Sequence, residues 1–165
     1  MRLGPNHALE IEVGEANFIR GKHNIIQAII HVNDLFMLSV STVQSIFYED
    51  VRAWLDEHEI RYIEGTKFTG KSSYEHRFDF AIPRSQQAPE RYLQVINTAT
   101  KQNIVNLIFA WEDIRDGRPP NAKAYAFLND IRKRVGSSLR TALINYDITP
   151  VPWSERNEVL AEIAA

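Results

Sequence analysis

A chain of 165 residues, of which 44% are hydrophobic and 10% aromatic, has enough apolar surface to form a folded core, so wholesale disorder is excluded. It contains no cysteine, which excludes disulfide bonds, thiolate metal sites and a cysteine nucleophile. A net charge of -2 argues against a protein that coats nucleic acid nonspecifically, so any nucleic-acid contact would be local. No run of about 18 apolar residues is found, and we expect a cytoplasmic protein that does not enter a membrane.

Two helices are predicted in the first part of the chain. The nearly continuous apolar run from Lys22 to Val32 is typical of a buried helix, and Asn33-Asp34 is expected to end it. Ser41 is a candidate N-cap for a second helix, in which apolar residues recur at spacings of three and four through about His58. This second helix has the clearest periodicity in the chain.

The middle of the chain predicts a β-hairpin followed by a third strand. The runs Arg61–Thr69 and Tyr74–Ile82 are rich in β-branched and aromatic residues, and the sequence Gly70–Ser73 between them favours a turn. Arg91–Asn97 fits a strand or a short helix, and we favour a strand buried on both faces. The remaining predicted elements are a helix from Thr100 to about Trp111, a strand Ala122–Leu128, a helix Ser137–Tyr146, a strand Thr149–Trp153 and a terminal helix Glu155–Ala165.

This order of elements predicts an α/β fold with a mixed sheet flanked by helices. One helix, three strands, a helix and a strand follow one another, which is the core order of the restriction-endonuclease-like fold, with an extra N-terminal helix and a C-terminal strand and helix. In that fold a hairpin and a third strand carry the metal-binding acids. We expect a single domain over residues 1–165, with an N-terminal arm (1–21), a helical segment (22–60), an α/β core (61–154) and a terminal helix (155–165).

The second predicted helix carries a carboxylate on its apolar side. Asp50 falls inside the stripe, whereas Glu49 lies on its polar flank; the stripe residues are Ile46, Phe47, Val51 and Trp54. An unpaired buried charge costs several kcal/mol, so Asp50 is expected to meet a cation, backbone N–H groups or a metal ion. A structural partner is the favoured interpretation, and a site acid is the alternative.

The second hairpin strand carries acids and an arginine at alternate positions. Period-two alternation places Glu75, Arg77 and Asp79 on one face, and Tyr74, His76, Phe78 and Phe80 on the other. A ladder of ion pairs across the strands is the simpler interpretation of the first three. The alternative is a metal site that includes Asp79.

Metal-dependent nucleases carry an Asp on such a strand. On the next strand they carry an acid or an amide, then one residue of any type, and then a lysine. Divalent cations prefer oxygen ligands, and the lysine polarises the attacking water. Here the next strand offers Gln94-Val95-Ile96, with no lysine, so a lysine would have to come from elsewhere, with Lys67, Lys71 and Lys101 as candidates. The candidate catalytic residues are Asp79, Gln94, Lys71, Asp50 and Glu49, with Asp79 and Asp50 as ligands of Mg²⁺ or Mn²⁺.

A third candidate site lies at the end of the helix that follows Thr100. Asp113, Arg115 and Arg118 are close in sequence, and the planar fork of donors on arginine suits a phosphate or a carboxylate. A helix C-terminus is unfavourable for an anion because of the helix dipole. Local salt bridging is therefore the favoured interpretation of these residues, and anion binding is the alternative.

Short segments spread over the chain resemble a known pair of families. They are Lys22–Ala28, Asn33-Asp34, Phe47–Val51, Gly70-Lys71, Phe78–Phe80, Pro89–Arg91, Phe109–Asp113, Leu128–Asp130 and Trp153-Ser154. The chain is similar, from about Lys22 to Glu155, to adjoining domain-of-unknown-function families of bacterial and phage proteins, with the second family at the C-terminal end. The resemblance supplies no activity. It implies a mobile-element context and the loss of an N-terminal half that members usually carry.

These observations leave three classes of function open. The first is a non-catalytic, nuclease-like module from a phage or mobile element, which binds a defence protein or a nucleic-acid-handling protein. The second is a divalent-metal-dependent nuclease with a displaced lysine. The third is a structural homodimer whose interface is the apolar segment from Ile25 to Leu38.

Overall fold

The fold is taken from a computed structural model, which describes the backbone of residues 2–3 and 9–165 and the side chains of residues 10–35 and 46–165. The chain forms two compact units, Met1–Val43 and Gln44–Ala165. In the first unit, the short strands β1 (Arg2–Leu3) and β2 (Leu9–Glu10) pair antiparallel.

A single 40-residue helix, α1 (Phe18–Glu57), occupies the region where two helices are predicted. The predicted helix end at Asn33-Asp34 and the predicted N-cap at Ser41 are therefore wrong, because both positions lie within the helix. Asn, Asp and Ser reduce helix propensity by a fraction of a kcal/mol each, whereas Gly and Pro reduce it much more. The sequence from Lys22 to Glu57 contains neither Gly nor Pro, and the helix continues through it.

The second unit is built on a five-stranded mixed sheet, which confirms the predicted α/β class. Its strands are β3 (Ile63–Thr69), β4 (Glu75–Ile82), β5 (Arg91–Ile96), β6 (Lys123–Leu128) and β7 (Ile148–Pro152), adjacent in that order. The pairs β3/β4 and β4/β5 are antiparallel, and β5/β6 and β6/β7 are parallel. The parallel pairs are connected by α2 (Lys101–Ile114) and α3 (Ser137–Ile144), and a 3₁₀ segment leads from β7 to α4 (Leu160–Ala164).

Apolar side chains bury both faces of the sheet. One core joins Phe47, Val51, Trp54 and Leu55 of α1 to strand residues that include Phe80, Leu93 and Phe127. The other core joins Ile104, Leu107 and Trp111 of α2 and Leu143 of α3 to strand residues that include Phe78, Tyr92 and Ala126. Each fully buried large apolar side chain contributes about 1.5 to 3 kcal/mol of burial free energy, so these two cores fix the strands that carry the candidate site.

The side-chain alternation of β4 changes phase at Asp79. Phe78 and Phe80 belong to different cores, so the prediction that they share a face is wrong. Opposite Asp79 lies Gly65 of β3, whose φ of +59° is in the left-handed region that favours glycine. The pairing of β4 with β5 extends only from Ile82↔Arg91 to Phe80↔Leu93. The two strands therefore separate at Asp79.

Candidate functional site

The separation of β4 and β5 opens a cleft with a volume of about 560 Å³. Glu75, His76, Arg77 and Asp79 line it from β4, and residues that follow Leu93 on β5 line it from the other strand. The cleft therefore lies where the sequence predicts a site around Asp79 and Gln94, and both of these residues line it.

Asp79 is held by two hydrogen bonds from β5. Gln94 Nε2 donates to Asp79 Oδ2 at 2.5 Å, and the backbone N–H of Val95 donates to the same oxygen at 2.7 Å. Burial raises the pKa of Asp79 above its ordinary value, although the Val95 N–H, Arg77 and Gln94 act in the opposite direction. Asp79 is thus a half-buried carboxylate whose hydrogen-bond donors are neutral groups.

The residue of α1 that lines the cleft is Tyr48, and neither Glu49 nor Asp50 does so. The Tyr48 ring stacks on Phe80 with ring centroids 4.9 Å apart. Burial, together with the nearby charges of Glu64 and Asp79, raises the pKa of Tyr48 to about 12. Its hydroxyl therefore stays protonated and can take part in hydrogen bonds at neutral pH.

Asp50 is exposed, contrary to the expectation that it is buried. The buried stripe of α1 consists of Phe47, Val51, Trp54 and Leu55, whereas Ile46 is 54% exposed. Because Ile46 does not belong to the stripe, the stripe is narrower than predicted and Asp50 lies outside it. Glu49 is also exposed and forms an ion pair with Arg52 at 2.9 Å.

The position that requires a lysine in a nuclease is occupied by Ile96, which is 6% exposed and belongs to the core beneath α2. Lys71 lies in the hairpin turn, 3.8 Å from Asp116, and does not line the cleft. Lys67 pairs with Glu75 at 2.7 Å, which is one rung of the predicted cross-strand ladder. Within the residues whose placement is described, no three His, Asp or Glu side chains group as a metal site.

Asp113 anchors the hairpin turn to α2. Its buried carboxylate accepts hydrogen bonds from Ser72 N–H (2.9 Å), Ser72 Oγ (2.5 Å) and His76 Nε2 (2.7 Å). Burial raises the pKa of Asp113, but the hydrogen bonds from Ser72 and His76 outweigh it and leave the pKa below its ordinary value. The carboxylate is therefore engaged by the protein itself.

Arg115 and Arg118 have partners of their own. Arg115 pairs with Glu112 at 2.6 Å and with Asp147 at 3.1 Å. The guanidinium of Arg118 lies over the ring of Phe68, 4.7 Å from its centroid. The structure does not bring these two arginines and Asp113 together as an anion site, and the local salt bridges of Arg115 agree with the favoured interpretation.

The sequence interpretation missed three asparagines of the cleft. Asn97 follows β5, and Asn103 and Asn106 lie on α2. The signal in the sequence is the spacing of Asn103, Asn106 and Ala110 by three and four residues, which places two polar side chains and a small one on one face of α2. That face borders the cleft.

The second unit is thus a mixed α/β domain with a polar cleft between two strands that separate. The model of the family described as domain of unknown function DUF1829 matches residues 70–156, which is more than half of the chain, and the chain belongs to this family. The predicted membership of an uncharacterised family is confirmed. No curated protein matches the chain. In the part of the chain that is described, no helix combines the length and the apolar character that a membrane crossing requires.

Proposed function

We propose that this chain is a non-catalytic, nuclease-like binding module of a phage or mobile element. In this proposal it acts in the cytoplasm on a defence or nucleic-acid-handling protein, which it contacts through the cleft at Asp79. The observation that carries the proposal is that buried Ile96 stands at the position where a nuclease needs its lysine. The resemblance to families of phage proteins supports the origin.

The arrangement around Asp79 supports the comparison with nucleases and, at the same time, the absence of catalysis. Asp79 lies on the second strand of a hairpin and Gln94 on the next strand, in the order that the nuclease comparison requires. However, Gln94 donates its amide N–H to Asp79, so a neutral donor from the same chain contacts the carboxylate where the nuclease comparison expects a metal ion. The residue that α1 contributes to the cleft is Tyr48 and not an acid, and it would be a poor ligand because its hydroxyl stays protonated.

The test is a comparison of the unmodified chain with Asp79→Asn in the presence of Mg²⁺ or Mn²⁺. A metal ion that binds only the folded state raises the melting temperature by linkage. We expect neither ion to raise the melting temperature of either protein, and neither protein to cleave plasmid DNA. A metal-dependent rise that Asp79→Asn abolishes, together with cleavage, would establish the metal nuclease with a displaced lysine and contradict this proposal.

Self-association through α1 is a second candidate function, which the exposed side chains of the first unit favour. Seven large apolar residues between Phe18 and Leu35 are 44% to 80% exposed: Phe18, Ile19, Ile26, Ile29, Ile30, Val32 and Leu35. A stable interface buries about 800 Å² per partner, which is on the order of the apolar surface that these side chains expose. Half-buried Ile25 and the exposed Ile29 and Val32 are spaced as the a and d positions of a coiled coil, and the partner that fits them is a second copy of α1.

Light scattering checks this second candidate. We expect the unmodified chain to show twice its mass of 19.0 kDa. Ile29→Glu should return the mass to that of a monomer because it places a charge in the apolar seam, and Gln27→Glu, on the polar side of the helix, should leave the dimer intact. A monomer mass for the unmodified chain at high concentration would eliminate the homodimer.

A further inference from the structure

Four amide side chains line the cleft, and each is fixed through one end only. Gln94 and Asn103 are fixed through their N–H groups, and Asn97 and Asn106 through their oxygens. The bonds are Gln94 Nε2 to Asp79 Oδ2 (2.5 Å), Asn103 Nδ2 to Thr98 O (2.8 Å), Asn129 Nδ2 to Asn97 Oδ1 (2.7 Å) and Gln102 Nε2 to Asn106 Oδ1 (2.7 Å). No hydrogen bond from the described residues engages the opposite ends, which are two carbonyl oxygens and two amide N–H groups.

This arrangement suits a ligand that offers both donors and acceptors. Each residue of a peptide main chain offers one N–H and one C=O. The internal hydrogen bonds hold the amides in place before the ligand arrives, which lowers the entropy lost on binding. A ligand with acceptors only, such as a phosphate, would leave the oxygens of Gln94 and Asn103 without a partner.

The geometry of the strands also suits an extended chain. Beyond Phe80 and Leu93, β4 and β5 no longer pair, although β4 extends to Glu75 and β5 to Ile96. Their facing edges border the cleft. Strands that offer such edges bind peptides by main-chain hydrogen bonds in the mode of strand addition, with side-chain pockets supplying the specificity.

The charges of the cleft favour a peptide over a nucleic acid. Glu75 and Asp79 line the cleft with Arg77 as the one arginine or lysine among the lining residues, whereas grooves for single-stranded nucleic acid carry a surplus of cations. Such grooves also use aromatic platforms for the bases, whereas here the ring of Tyr48 already has one face covered by Phe80, and the ring of His76 contacts the edge or face of Phe109. Asp79 is half-buried, its two hydrogen-bond donors are neutral, and it forms no ion pair within 4 Å among the described residues, so its charge is suited to a cation from the ligand.

We propose that the cleft binds an extended peptide segment of a partner protein, whose main chain meets the four amides and whose Lys or Arg side chain meets Asp79. This inference rests on the proposed function and names the kind of ligand. In a metal-dependent nuclease, the lysine near the Asp belongs to the enzyme's own chain. In the proposed complex, the Lys or Arg that meets Asp79 belongs to the partner protein.

The test uses the full ¹⁵N-labelled chain and follows the side-chain amide signals by NMR. The probes are three pools of short capped peptides with random flanks, whose central residue is fixed as Lys, Ala or Asp, and an oligothymidine of similar length. We expect the Lys pool to shift the signals of Asn103 and Asn106 at the lowest concentration and the Asp pool at the highest. Asn106→Ala should weaken binding about fivefold, the equivalent of one net hydrogen bond, because Asn106 is exposed and can be replaced without loss of the fold.

Asn121→Ala, which removes an exposed amide away from the cleft, is the matched control and should bind the Lys pool like the unmodified chain. Equal binding of the Asp and Lys pools, binding of the oligothymidine in place of the peptides, or no shift with any probe would each overturn the inference. The comparison of the unmodified chain with Asp79→Asn in Mg²⁺ or Mn²⁺ distinguishes a failure of the proposed function from a failure of the peptide ligand alone. Metal-dependent cleavage contradicts the binding module itself, whereas silence toward both metals and peptides removes only this ligand.

Discussion

Replacing Arg91 with alanine is expected to lower the free energy of unfolding by about 3 to 4 kcal/mol. Arg91 begins β5 and is 2% exposed. Its guanidinium donates to four backbone carbonyls, those of Pro83 (3.1 Å), Glu162 (3.0 Å), Ile163 (3.2 Å) and Ala165 (2.9 Å). It therefore satisfies the last carbonyls of α4 and attaches that helix to the start of the strand.

The size of this decrease in the free energy of unfolding follows from the hydrogen bonds and the side-chain volume that Arg91→Ala removes. The four backbone oxygens, which are buried or partly buried in these hydrogen bonds, lose charged donors that water cannot fully replace, and the volume of a large buried side chain is lost as well. Urea unfolding monitored by tryptophan fluorescence measures the change. Arg84→Ala, which removes an exposed arginine from the neighbouring loop, is the control and should change stability by less than about 0.5 kcal/mol. Equal effects of the two substitutions would show that Arg91 does not hold α4.

Gly70→Ala is expected to destabilise the chain by about 2 kcal/mol, as overpacking does in a site that cannot move. A Cβ at Gly70 would overlap the carboxylate of Asp113, which the hydrogen bonds from Ser72 and His76 hold in place. The backbone also fixes the turn, because Lys71 N–H donates to the carbonyl oxygen of Asp113 at 2.9 Å. The substitution therefore forces either the turn or α2 to shift.

Gly117→Ala is the matched control, because a Cβ at Gly117 would meet no atom within 4 Å. Both substitutions reduce the entropy of the unfolded chain in the same way, so the difference between their melting temperatures isolates the clash with Asp113. A Gly70→Ala protein as stable as Gly117→Ala would contradict the close approach of the turn to α2.

Local patterns were enough to predict the five strands of the second unit and the helices α2 and α3, whereas the predicted terminal helix Glu155–Ala165 is a 3₁₀ segment up to Val159. Alternating β-branched and aromatic residues, the turn at Gly70–Ser73 and the cap at Thr100 are signals within a few residues, and Thr100 does accept a hydrogen bond from the backbone N–H of Asn103. The sequence does not predict the long α1, because Asn33-Asp34 is typical of a helix end although the helix continues through it. The phase change at Asp79 was missed as well, although a glycine inside a strand, here Gly65, is a known signal of a distortion.

The candidate site was predictable only in part, because its remaining contacts join residues far apart in sequence. Asp79 and Gln94 were found from their spacing on adjacent strands, whereas the role of Asp113 depends on Ser72, 41 residues away. Asp130 accepts hydrogen bonds from the backbone N–H and the Oγ of Ser154, at 3.0 and 2.5 Å. Gly70, Arg91, Asp113, Asp130 and Ser154 all lie in the segments that carry the family resemblance, and the structure shows that they hold elements together.

The pKa of Asp79, measured from its side-chain carboxyl carbon by NMR with and without millimolar Mg²⁺, distinguishes a binding cleft from a catalytic metal site. In a binding cleft without a catalytic metal, burial keeps this pKa above the ordinary value of about 4, and Mg²⁺ leaves it unchanged. A cation bound at the carboxylate favours its charged form and lowers its pKa. We expect the same raised pKa in both titrations, and a pKa that falls on addition of Mg²⁺ would show that the cleft binds a metal ion at Asp79.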